Sequence, residues 1–122
     1  MAREKLRGFN RLVRACAATR KGLTAAWREE AAFRQELVGA VLAMPLALWL
    51  GRSGVERALL VAPLLLVLIV ELLNTAIEKL ADRLTTEHDP QIGRVKDMGS
   101  AAVGVALVMA GLFWLFAIAE RM

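Results

Sequence analysis

Charge vanishes from three stretches of this chain, residues 37–50, 58–70 and 101–119. A helix needs about 20 residues at ~1.5 Å each to cross ~30 Å of hydrocarbon. The last stretch, 19 residues long, therefore crosses a bilayer unaided. The first two, 14 and 13 residues long, cross only by recruiting polar neighbours. A hairpin that merely dipped into the membrane would leave open backbone in lipid. Gly51, Arg52, Ser53 and Gly54 form a compact turn between them, so the return helix starts near Arg57. It reaches the far boundary at about Glu78. The pattern predicts three transmembrane helices, over about 31–50, 57–78 and 98–119, in a single domain covering 1–122.

Before the first of these runs the periodicity changes. Leu6, Phe9, Val13, Cys16, Leu23 and Trp27 recur at three- and four-residue steps, interrupted around Arg20, while Arg7, Arg11, Arg14 and Lys21 mostly take other faces. This predicts a basic amphipathic helix over about 5–28 that lies in the membrane interface and is drawn to anionic lipid. Further on, Asp89 and Pro90 carry the signature of a helix start, with the acid as N-cap and proline in the first helical position. The fold class expected is an all-α membrane protein of three spans plus an N-terminal interfacial helix.

Composition narrows the reading. At 57% hydrophobic residues in 122, the chain exceeds the usual soluble share and excludes disorder. The single Cys16 excludes a disulfide framework. Nine Lys and Arg lie in 1–36 and four in 79–97, against two in 51–57 and one in the C-terminal tail. That asymmetry predicts a cytoplasmic N-terminus and 79–97 loop, with the C-terminus outside, in the bacterial inner membrane. The first apolar run begins too far along for a cleaved signal peptide. The net charge of +4 reads as attraction to a membrane surface, with no nucleic acid as partner.

Ionisable groups at bilayer depth are expensive and point to function. Glu71, Asn74, Glu78 and Asp82 share one face of the second span within an arc of about 80°. Glu71 lies roughly 10 Å inside the hydrocarbon boundary. One three-span protomer is expected to cover such a stripe poorly, so an oligomer is predicted. Among Gly99, Ser100, Gly104 and Gly111, the pair Ser100 and Gly104 has the spacing for close helix contact. Carboxylates at the inner boundary, with Glu30 and Glu36 added, suit a hard divalent cation such as Mg2+. Lys96, Arg11 and Arg34 on the same side are candidate phosphate partners. A carboxylate in low dielectric makes a competent base. Together these suggest phosphoryl transfer involving a lipid head group. No GxxxxGK[ST] loop and no kinase HRD or DFG motif is present in the sequence. Trp27, Trp49 and Trp114 read as interfacial anchors.

Three segments then stand out: Glu-Ala-Ala-Phe-Arg-Gln-Glu (30–36), Glu-Leu-Leu-Asn-Thr-Ala-Ile-Glu (71–78) and Lys-Asp-Met-Gly-Ser-Ala-Ala (96–102). Together with Gly8-Phe9, Arg11, Lys21-Gly22-Leu23 and Ala25-Ala26-Trp27, they resemble the prokaryotic integral-membrane diacylglycerol kinases over nearly the whole chain. The resemblance implies a homotrimer with active sites shared between subunits, in which ATP and magnesium convert diacylglycerol to phosphatidic acid. It implies that Glu71 is the catalytic base and that Glu30 and Glu78 hold the metal. Arg11, Glu87, His88, Lys96 and Asp97, with those two metal carboxylates, would contact ATP. Asn74 and Lys96 would complete the polar site. Trp27, Ala32, Phe33, Arg34, Gln35, Glu36 and Ser100 would line the way in for the lipid, with Arg11 also beside the substrate. Two alternatives remain: an undecaprenol kinase, and, from another class, a small proton-coupled cation transporter. The latter would have no use for phosphate-binding cations.

Overall fold

The computed structural model describes residues 2–122 and is built from four helices: α1 (Ala2–Glu29), α2 (Ala31–Leu50), α3 (Gly54–Leu84) and α4 (Pro90–Arg121). α2, α3 and α4 are each long and apolar enough to cross a membrane. At ~1.5 Å per residue, the 31 residues of α3 and 32 of α4 exceed the thickness of a bilayer, so each carries a polar extension past its span. The expected spans at about 57–78 and 98–119 fall within these two helices.

Local chemistry sets each boundary. Glu30 is the single extended residue between α1 and α2, at φ −122° and ψ 112°. The Arg34 guanidinium reaches back from α2 and donates to the carbonyls of Trp27 at 2.8 Å and Arg28 at 3.3 Å, satisfying acceptors that the end of α1 leaves open. The next junction repeats the device: Arg57 donates from Nε to the Leu48 carbonyl at 3.0 Å. Gly51 is required there, because a Cβ at that position would collide with the Arg57 side chain. α3 begins at Gly54, three residues earlier than the apolar pattern suggested, because Ser53 caps it by accepting from the Glu56 amide at 3.1 Å. α4 starts as its sequence predicts. Asp89 accepts from the Gln91 and Ile92 amides, and Pro90 takes the first helical position.

α3 is the central element, packed most extensively on α4 and less so on α2, while α1 packs least on α2 and borders a groove with α3. A dry cluster of Ala47, Leu50 and Leu60, with Val61, Trp114 and Ala117 against it, closes the end near the 51–53 turn. Trp114 is half-buried and donates from Nε1 to the Leu60 carbonyl at 3.0 Å, so it pins α4 to α3 and does more than anchor at an interface. At the same end the Arg121 guanidinium lies 4.7 Å from the centre of the Trp49 ring. Many large apolar side chains, among them Leu42, Val105, Leu115 and Phe116, face outward. In water such a surface would aggregate, whereas in a bilayer it meets lipid or another helix.

Candidate active site

At mid-depth the centre of α3 turns polar. Glu71 and Asn74 are each 7% exposed, and Thr75 beside them is also buried. The α3 rotation that packs Leu60, Pro63 and Val67 inward carries Glu71 and Asn74 inward two turns later. α2 brings Glu36 against Glu71. α4 brings Gly99 so close that a Cβ there would run into Asn74 Oδ1. One chain by itself therefore buries Glu71 and Asn74, where poor cover was expected for the whole stripe, and leaves Glu78 half-buried and Asp82 exposed. The reason for the burial is the close approach of α4 at Gly99. Ser100 is exposed, and Cβ atoms added at Gly104 or Gly111 would meet open space. The close contact within the chain thus falls one residue away from the expected Ser100 and Gly104 pair.

This polar centre is incompletely satisfied. Glu36 Oε2 and Asn74 Oδ1 are buried without a hydrogen-bond partner. Asn74 Nδ2 donates to Glu78 Oε1 across a long 3.4 Å. No basic side chain pairs with Glu36, Glu71 or Glu78 among the described residues; the ion pairs found involve other acids. A buried carboxyl that is neither paired nor fully hydrogen-bonded costs stability, and such groups gather where a reaction needs them.

Towards the 85–89 loop the stripe descends through half-buried Glu78 to exposed Asp82. There a cleft of about 400 Å³ is lined by Asp82, Glu87, His88, Asp89 and Lys96, among others. Lys96 Nζ contacts Asp82 Oδ1 at 2.5 Å, and the Glu87 amide is held by Thr85 Oγ1 at 3.0 Å. Three of the residues expected to contact nucleotide, Glu87, His88 and Lys96, are therefore gathered in one place. Asp97 is exposed on α4, and Arg11 is exposed on α1; neither lines this cleft.

The remaining expected residues divide by burial. Trp27, Ala32, Gln35 and Ser100 are exposed. Phe33 is only 1% exposed, so it packs inside and cannot line the way in for the lipid. Arg34 Nη1 caps α1 by donating to the Trp27 and Arg28 carbonyls. Sequence reasoning passed over Lys79 and Glu29, whose side chains pair at 2.6 Å, with Glu30 Oε1 3.7 Å from the same ammonium. Opposite charges at one boundary were the available signal, but their pairing depends on how α1 folds back.

Among the described residues no group of three or more His, Cys, Asp or Glu side chains is placed to hold a metal ion. Magnesium commonly takes one or two carboxylates and completes its shell with water and substrate phosphate. Glu30 makes no capping hydrogen bond, and Glu78 accepts only the long Asn74 bond, so both retain acceptor capacity. The described residues form no all-protein cage, so a cation held here would depend on ligands from outside the chain.

Comparisons with known proteins point to one family. The family model described as prokaryotic diacylglycerol kinase matches residues 17–118. A diacylglycerol kinase of Escherichia coli strain K12 is 49% identical over 107 residues, covering 88% of each chain. One from Haemophilus influenzae is 39% identical over 110 residues, covering 90% of this chain and 93% of its own. Another, from Helicobacter pylori strain 26695, is 41% identical over 110 residues, covering 90% and 86%. The chain belongs to the prokaryotic diacylglycerol kinase family.

Proposed function

We propose that this multi-pass membrane protein is a lipid kinase that transfers the γ-phosphoryl group of ATP to the free hydroxyl of diacylglycerol, giving phosphatidic acid and ADP. The observation that carries the reading is Glu71: a carboxyl 7% exposed, on a membrane-spanning helix, with no cationic partner among the described residues. Glu71 accepts the proton of the lipid hydroxyl as that oxygen bonds to the γ-phosphorus and the bridging bond to ADP breaks. Asn74 and Glu36 flank the acid, and the second N–H of Asn74 Nδ2, whose first N–H goes to Glu78, would orient the hydroxyl by donating to its oxygen. Lys96, Glu87 and His88 border the cleft towards the nucleotide, where the Lys96 ammonium answers phosphate charge. Glu30 and Glu78 would hold Mg2+, which supplies neutralisation of the phosphate oxygens.

The same reading includes a homotrimer in which Arg11 and Asp97, which do not line the cleft within one chain, reach a neighbour's nucleotide. It places the N-terminus and the 85–89 loop in the cytoplasm, where ATP is found, with α1 lying along the inner leaflet.

The test is a phosphate-transfer assay on the purified protein in mixed micelles, with radiolabelled magnesium-ATP and either diacylglycerol or undecaprenol. Label should appear in phosphatidic acid and vanish with Glu71→Gln. Preferential labelling of undecaprenol would overturn the substrate, and a wild-type rate in Glu71→Gln would overturn the base.

A further inference from the structure

Lys79 follows Glu78 by one residue, and its side chain crosses from α3 to the joint between α1 and α2. There it meets two consecutive acids unequally. Its ammonium lies 2.6 Å from Glu29 Oε2 and 3.7 Å from Glu30 Oε1. Glu29, the last residue of α1, has a side chain 53% exposed; that of Glu30 is 30% exposed. Glu30 sits on extended backbone and makes no capping bond, so Lys79 is the one charged partner its carboxylate has among the described residues.

A lysine ammonium and a divalent cation compete for the same carboxylate oxygens. With Glu29 closer, the ammonium makes its short contact there and leaves Glu30 with a loose one. Without the Glu29 charge, Glu30 is the only acid left in reach of Lys79 among the described residues, and the ammonium closes on it.

We propose that Glu29 is a positioning residue that holds the Lys79 ammonium off Glu30 and thereby sets how tightly the site takes its divalent cation. The proposal rests on the reading of Glu30 and Glu78 as metal carboxylates. Neither Glu29 nor Lys79 touches the reacting atoms. Their effect passes through Glu30 alone.

The experiment measures Mn2+ binding by electron paramagnetic resonance on the full chain in micelles, with a non-hydrolysable ATP analogue. Glu29→Gln should weaken Mn2+ binding about fivefold, the scale of one Coulomb contact in a wet setting. The double variant Glu29→Gln/Lys79→Met should return to wild-type affinity or better, which a merely structural role for Glu29 would not produce. Lys79→Met alone should bind at least as tightly as wild type. Unchanged affinity in Glu29→Gln overturns the proposal. So does a double variant that stays weak, since Glu29 would then act as a ligand itself, and so does weakened binding in Lys79→Met. Glu30→Gln separates the two readings. If it abolishes binding while Glu29→Gln binds normally, only the present inference fails. If it binds as wild type does, the metal role of Glu30 fails and the proposal with it.

Discussion

The two ends of the α3–α4 pair obey opposite rules. Near the 51–53 turn, Ala47, Leu50 and Leu60 pack dry, Trp114 donates to the Leu60 carbonyl, and Arg57 closes the end of α2. Near mid-depth, Glu36 and Asn74 keep buried atoms unsatisfied, and Gly99 lets α4 crowd against Asn74. The first end is what packing alone would produce. The second gives up stability for polar groups at a depth where none is needed to fold. That asymmetry locates chemistry within a helix pair otherwise apolar over most of its length.

The contrast can be broken at either end. The largest effect should come from Glu71→Gln, which keeps the shape and removes the base; phosphate transfer is expected to fall by about 10²–10⁴-fold in the micelle assay. Gly99→Ala should cost about a hundredfold in turnover, because the added methyl displaces Asn74 or pushes α4 away. Gly54→Ala, where a Cβ meets open space, should leave the rate unchanged. Trp114→Phe tests the opposite end. Loss of its hydrogen bond should lower unfolding stability by about 1 kcal/mol, measured by denaturant titration in micelles, with turnover preserved. Arg57→Met removes an exposed capping bond and should cost only about 0.5 kcal/mol by the same titration.

How far the sequence foretold this differs by element. The uncharged runs announced three crossing helices, and Asp89 with Pro90 announced the start of α4, because these signals are local. Glu71 was conspicuous for its depth alone. The rotation of α4 was hidden, since its membrane portion is apolar on every side and no periodicity marks the face that meets α3. Gly99 rather than Gly104 therefore emerged only from the packing. The bond from Trp114 to Leu60, 54 residues apart, and the meeting of Glu36 with Glu71 are tertiary facts of the same kind. The reach of the Arg34 guanidinium back to the end of α1 is another contact that no local pattern announced.

The central claim, that the buried acid on α3 serves reaction and not folding, is tested most directly by the thermal unfolding midpoint of Glu71→Gln against wild type in the same micelles. Removing a carboxyl pressed against Glu36 should leave the midpoint level or raise it. A midpoint several degrees below wild type would show that Glu71 holds the helices together, and would contradict the account.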